Sequence, residues 1–177
     1  MKSLLLALQF LTVIPVKIKN FEEKKLISSM MFFPIIGFFI GIFLALVNIL
    51  FLFIGFSDFV INIILVAVLI IITAGMHLDG LSDTFDAIAG GRSKEEMLSI
   101  MRDSHCGVMG VLSIICVLLF KISFLSSIGF PYKISALILM CVLGRWAMLF
   151  LLFMFPYARK DGKAKVFSEG INSVIFI

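Results

Sequence analysis

The chain has 177 residues, of which 62% are apolar and only 15% charged, and its mean hydropathy is +1.19. A soluble fold of this length cannot hide so much apolar surface, because small domains leave much of their area in water, and a disordered chain would be poor in large apolar residues. The excess of 15 Lys and Arg over 11 Asp and Glu does not describe a nucleic-acid surface either, since the charges lie between long apolar runs, where they set membrane orientation. The composition is that of an integral membrane protein, and the length allows one domain.

Residues 3–16 form a short apolar run containing Pro15. Lys2 ahead of an apolar core imitates a signal peptide, but no A-x-A-like site follows and the chain continues directly into Lys17-Ile18-Lys19. The run is short for a crossing and is expected to stay as an interfacial or re-entrant helix. Residues 30–56 and then 59–76 are long and uncharged; residues 107–130 carry only Lys121 and residues 134–157 only Arg145. Each of the four is close to the roughly 20 apolar residues that cross a bilayer. Ser57 and Asp58 leave room only for a tight turn between the first two. Residues 171–177 turn apolar again, as if another span were starting. No internal repeat or low-complexity tract is present.

The loops predict the topology. Lys2, Lys17, Lys19, Lys24 and Lys25 precede the first span, Arg92, Lys94 and Arg102 separate the second from the third, and Arg159, Lys160, Lys163 and Lys165 follow the fourth. Four spans put all of these on one side and leave Lys133 on the other. The positive-inside rule then places both termini and the central loop in the cytoplasm. Tyr132 and Tyr157 fall at span ends, where interfacial aromatics belong. Cys106, Cys116 and Cys141 make no C-x-x-C pair; the two within apolar stretches are expected to be buried, inert thiols.

Chemistry concentrates in the cytoplasmic loop, His77-Leu78-Asp79-Gly80-Leu81-Ser82-Asp83-Thr84-Phe85-Asp86 onward to Gly90-Gly91-Arg92. Asp79, Asp83 and Asp86 stand at i, i+4 and i+7, within roughly a 60° arc of one helix face. Like charges so placed repel, and no basic residue occurs between His77 and Gly91 to relieve them. A solvated acidic face is the ordinary alternative. Beside a membrane span, in a chain with few other acids, a hard divalent cation is the better explanation. Mg²⁺ takes oxygen ligands and shares its shell with water and substrate phosphates.

Further along, Arg102 and Asp103 stand just before the third span. The arginine suits a phosphate clamp and the aspartate could complete a cation's shell; the ordinary reading is a snorkelling arginine beside an acid. His77 falls opposite the acid face and His105 adjoins Cys106; no zinc spacing is present, so both histidines are structural or substrate-adjacent. Gly90-Gly91 is expected to end the acidic helix in a left-handed conformation, and Ser93 to Glu96 reads as a capping box opening the next. Arg145 sits mid-span, where a charge costs at least about 2.5–3.5 kcal/mol unless paired or hydrated. It is either a phosphate or cofactor contact in a polar cavity or the partner of a polar group on a neighbouring helix.

These residues resemble the cobalamin synthase family, the adenosylcobinamide-GDP ribazoletransferases. The resemblance rests on the segment from His77 to Asp86, on Ile100-Met101-Arg102-Asp103-Ser104 with Gly107 and Gly110, and on Leu8-Gln9-Phe10-Leu11-Thr12 with Pro15. Phe33-Pro34-Ile35-Ile36-Gly37 with Gly41, Gly144-Arg145-Trp146 and Pro156-Tyr157-Ala158-Arg159 extend it over nearly the whole chain. It implies an all-α, polytopic helix bundle of about four transmembrane helices, with the N-terminal interfacial or re-entrant helix and the acidic loop helix, in the inner membrane of a prokaryote. Longer members continue through further C-terminal spans, so residues 1–177 are expected to form a single membrane domain lacking them.

The implied activity is Mg²⁺-dependent. A hydroxyl of α-ribazole, or of its 5′-phosphate, attacks the corrinoid-side phosphorus of adenosylcobinamide-GDP, and GMP leaves. In this reading Asp79, Asp83, Asp86 and Asp103 hold the metal, Arg102 takes charge developing on the leaving phosphate, and an aspartate outside the metal shell accepts the hydroxyl proton; His77 and Arg145 adjoin the bound substrate. The lipid bilayer is the obligatory partner, and other cobalamin-assembly enzymes or a second copy of the chain are partners that this setting allows. A CDP-alcohol phosphatidyltransferase-like enzyme would share the clustered aspartates, but its D-G-x-x-A-R continuation is absent. A transporter or assembly subunit would place its ionisable groups near mid-bilayer, whereas these acids gather at the cytoplasmic edge.

Overall fold

The computed structural model describes residues 2–16, 23–159, 162 and 165–170. Lys17, Lys19, Lys160, Lys163 and the terminal apolar run 171–177 lie outside the described residues. Every regular element described is helical: α1 (Lys2–Leu11), α2 (Glu23–Ser29), a 3-10 turn (Met30–Phe32), α3 (Phe33–Ile54), α4 (Asp58–Ile72), α5 (Met76–Gly90), α6 (Lys94–Ile100), α7 (Val108–Ser127), α8 (Tyr132–Met154) and α9 (Lys165–Gly170). They fall into two compact units, residues 1–56 with 129–177, and residues 57–128.

The first unit is built on α3 packed against α8. Gly37 and Gly41 lie one turn apart on α3 and let the two backbones approach. A Cβ on Gly37 would stand 2.5 Å from the Cys141 carbonyl oxygen, and one on Gly41 would stand 2.5 Å from Ile138 Cα. Because Gly37 meets Cys141 while Gly41 meets Leu137 and Ile138, the helices run antiparallel. Small residues at four-residue spacing are a common solution where lipid supplies no hydrophobic drive between helices. Helix α1 packs on this unit through its apolar face: Leu6, Ala7 and Leu11 are buried, and Phe10 joins Phe33 of α3 and Phe167 of α9 in one ring cluster with centroids 5.3–6.4 Å apart. At 10 residues, about 15 Å long, α1 cannot cross a bilayer.

In the second unit α4 packs on α7, with the start of one beside the end of the other. The buried Asn62 amide donates to Ser126 Oγ at 2.9 Å and to Asp58 Oδ2 at 3.1 Å. Helix α4 ends four residues before the predicted boundary near Met76, for a local reason. Gly75 N–H donates to the Ile70 carbonyl and Ala74 N–H to that of Ile71, the paired bonds of a Schellman stop. Ala74 and Gly75 both have positive φ, 51° and 66°. The chain therefore leaves α4 sharply, and α5 runs at 89° to it.

Residues Lys25–Ile54, α7 and α8 are each long and apolar enough to cross a membrane; α4 counts as a fourth only when taken with α5 as one bent pair. Their outward faces are made for lipid, with Phe53 90% exposed and Ile71, Leu119, Phe120 and Phe124 also outside. That placement corrects one expectation about the thiols. Cys141 is buried, but Cys116 is exposed on α7, because an apolar residue in a lipid-facing helix needs no protein cover.

Candidate functional site

The acid segment is a single helix. All of residues 76–90 are helical in α5, so Asp79, Asp83 and Asp86 do share a face. Asp79 is exposed, while Asp83 and Asp86 are half-buried. His77 lies in the first turn and is exposed, on the opposite side. Gly90 ends the helix as the sequence predicts, but not in a left-handed turn: Gly91 is extended, at φ −93° and ψ 130°. Its glycine is required by proximity. A Cβ there would stand 2.6 Å from Met97 Cγ and 2.8 Å from Met97 N, because α6 starts directly against α5. The capping box forms as expected. Ser93 Oγ accepts from Glu96 N–H, and Glu96 Oε2 accepts from the amides of Ser93 and Arg92.

Asp86 is committed. Its Oδ2 accepts from Gly107 N–H and its Oδ1 from Gly110 N–H, both at 2.7 Å. Gly107 is the N-cap of α7, so a carboxylate from another helix satisfies the orphan amides at this helix start, where anions are favoured. One turn earlier on α5, Ser82 Oγ lies 2.9 Å from Cys106 Sγ in a hydrogen bond. The acid pattern singles out neither Ser82 nor Cys106; the one available signal is the spacing of Gly107 and Gly110.

The segment between α6 and α7 carries Arg102 and Asp103, both exposed. Asp103 Oδ1 bonds His105 Nδ1 at 2.5 Å and accepts the His105 amide at 3.2 Å. The hydrogen bond to the imidazole holds the Asp103 carboxyl below its ordinary range, and the same bond raises the His105 pKa. Among the described residues, no group of three His, Cys, Asp or Glu converges on a common metal position. The donor set still fits Mg²⁺, which is commonly held by one or two carboxylates with water and substrate phosphates completing the shell; Asp79 and Asp83 are two such oxygen donors on one face.

Arg145 belongs to the first unit. It is 5% exposed. Its Nη1 reaches the Cys141 carbonyl at 3.5 Å, one turn back on α8, and its Nε and Nη2 are buried with no hydrogen-bond partner among the described residues.

Residues 3–177 match the family model described as cobalamin-5-phosphate synthase. The chain belongs to the cobalamin-5-phosphate synthase family. It is 43% identical to the adenosylcobinamide-GDP ribazoletransferase of Roseiflexus sp. (strain RS-1), over 92% of this chain and 60% of the relative. It is 39% identical to the protein of that name from Desulforamulus reducens, over 90% and 64%, and 37% identical to that from Clostridioides difficile, over 100% and 68%. The chain thus spans under two-thirds of the length of the first two relatives. No solved structure matches it.

Proposed function

We propose that this chain carries the phosphate-handling core of a Mg²⁺-dependent transferase of late cobalamin assembly. The enzyme joins adenosylcobinamide-GDP to α-ribazole, or to its 5′-phosphate, and yields adenosylcobalamin, or its 5′-phosphate, with GMP. The observation that carries this reading is the family match over residues 3–177, to relatives that bear the ribazoletransferase name. The geometry supports a site on α5, which leaves the line of α4 at 89°. If α4 follows the bilayer normal, α5 lies along the surface, where substrates from the aqueous side can reach its acid face.

In this reading Asp79 and Asp83 hold Mg²⁺, whose charge, when it is bound, offsets that of the diphosphate. Arg102 contacts a phosphate oxygen, where a guanidinium fits bidentately. The ribazole hydroxyl oxygen forms the new bond to the corrinoid-side phosphorus as the bond from that phosphorus to the bridging oxygen breaks. GMP takes the electron pair, and an aspartate outside this metal pair, Asp103 in the segment before α7, receives the hydroxyl proton. Positioning and charge neutralisation supply most of such catalysis. Both termini and the loop face the cytoplasm in this reading, in the inner membrane of a prokaryote.

The test is GMP release from adenosylcobinamide-GDP and α-ribazole by the chain in lipid, with and without Mg²⁺. Release that needs the metal and fails with Asp83→Asn is the expected result. Release that Asp83→Asn leaves unchanged would remove the acid face from the mechanism. A folded chain that stays silent, alone and extended to the relatives' length, would overturn the activity.

A further inference from the structure

We infer that Asp86 is not a cation ligand but a positioning residue, a clasp that holds the start of α7 to α5 and thereby fixes the Arg102–Asp103 segment beside the acid face. The inference deepens the transferase reading and rests on it for the reaction, though the clasp itself can be measured without turnover. Four observations converge. Both carboxylate oxygens of Asp86 are already bonded, at 2.7 Å, to the amides of Gly107 and Gly110. Helix α7 has no acidic residue in its own first turn, so Asp86 supplies the negative charge that its N-terminal dipole favours. That same positive helix end is a poor neighbour for Mg²⁺, which would compete with it for one carboxylate. Finally, both amides belong to glycines that the carboxylate leaves no room to replace. A Cβ on Gly107 would overlap the Asp86 carboxylate, and one on Gly110 would overlap both Ser82 Oγ and that carboxylate.

The consequence is a division of labour along one helix face. Asp79 and Asp83 are assigned to the cation, while Asp86, one turn further, spends its charge on holding. Ser82 adds a second pin through Cys106, the residue just before Gly107. Four residues upstream of Cys106 is Arg102, so loosening this clasp displaces the phosphate contact without touching the cation donors.

The experiment uses the full chain in lipid nanodiscs and compares Asp86→Asn, Asp83→Asn and Gly110→Ala. Mn²⁺, read by its EPR spectrum, serves as the cation probe. The clasp predicts that Asp86→Asn lowers kcat for GMP release by about a hundredfold, the scale of a misplaced reacting group, while Mn²⁺ affinity and the half-saturating Mg²⁺ concentration hold. Asp83→Asn instead weakens Mn²⁺ binding by about tenfold or more. Gly110→Ala, which removes no ligand, should reproduce the Asp86→Asn pattern.

Adding Ser82→Cys to Asp86→Asn places two thiols where the Ser82–Cys106 bond now lies. Oxidation should then close a disulfide and recover most of the lost kcat, and reduction should remove it again. Independently of activity, hydrogen exchange at residues 107–110 should accelerate in Asp86→Asn. Loss of Mn²⁺ affinity in Asp86→Asn to the extent seen in Asp83→Asn would overturn the inference, as would unchanged exchange at 107–110 or a disulfide that forms without recovering kcat. If the unsubstituted chain, alone and extended to the relatives' length, releases no GMP, the transferase reading fails while the exchange and Mn²⁺ results still decide the clasp.

Discussion

At the residue scale, the pair Asp103 and His105 shows how a loop can hold a charge in place without burial. Each is exposed, and their shared hydrogen bond lowers one pKa and raises the other. Because the folded His105 pKa lies above its ordinary 6.5, the pair's contribution is full below that value and is lost as pH rises through the raised one. At the acid end, the depressed Asp103 pKa means that the contribution persists until pH falls through the lowered carboxylate value. An NMR titration should find His105 above 6.5 and returning toward it in Asp103→Asn.

Arg145 presents the opposite case, a buried charge with two donors, Nε and Nη2, that meet no acceptor among the described residues. These two N–H groups form one edge of the guanidinium, the edge that meets carboxylates and phosphates side-on. As in other buried ionic sites, an apolar side chain of similar length should be tolerated by the fold or favoured. Arg145→Met is therefore expected to keep or raise the thermal midpoint. A fall in GMP release in that variant, at unchanged midpoint, would mark the arginine as a substrate contact; unchanged release would make it a packing residue.

At the element scale, helix ends decide the architecture. The bend between α4 and α5 depends on two consecutive left-handed residues, and only one of them is glycine. Ala74, at φ 51°, holds a conformation that costs a non-glycine residue about 1–2 kcal/mol. Ala74→Gly should relieve that strain and stabilise the second unit by on the order of 1 kcal/mol, net of the extra freedom it gives the unfolded chain. Thermal melting monitored by circular dichroism in detergent would register it. The α3–α8 contact has no such slack. Gly41→Leu would drive a side chain into the Ile138 backbone and should cost about 1–3 kcal/mol or separate the helices, seen as a lower melting midpoint.

At the scale of the whole molecule, the two thiols outside the protein interior report orientation. Cys106 is exposed in the segment before α7, and Cys116 is exposed two turns into that apolar helix. A membrane-impermeant maleimide should label Cys106 in inside-out vesicles and leave it unlabelled in right-side-out ones. Cys116, facing lipid, should resist it in both. Labelling of Cys106 from the outer face would reverse the topology inferred from the basic loops.

Much of this architecture is legible in the amino-acid sequence. Apolar runs report helices in a membrane because backbone groups there must bond within their own segment, and the capping box of Ser93 and Glu96 is a purely local device. The three aspartates fall on one face by helical period alone. Other features depend on which helix lies against which. The commitment of Asp86 to Gly107 and Gly110 joins residues more than 20 positions apart, and periodicity carries no record of a partner helix. The role of Gly91 differs from its expected left-handed turn for the same reason, since Met97 rather than backbone twist excludes a side chain there. By itself, then, the sequence determined the membrane, the helices and the acid face, all consequences of composition and short-range spacing. Tertiary structure decided which of the three carboxylates is spent on holding a helix, because that choice lies in contacts between chain segments far apart in sequence.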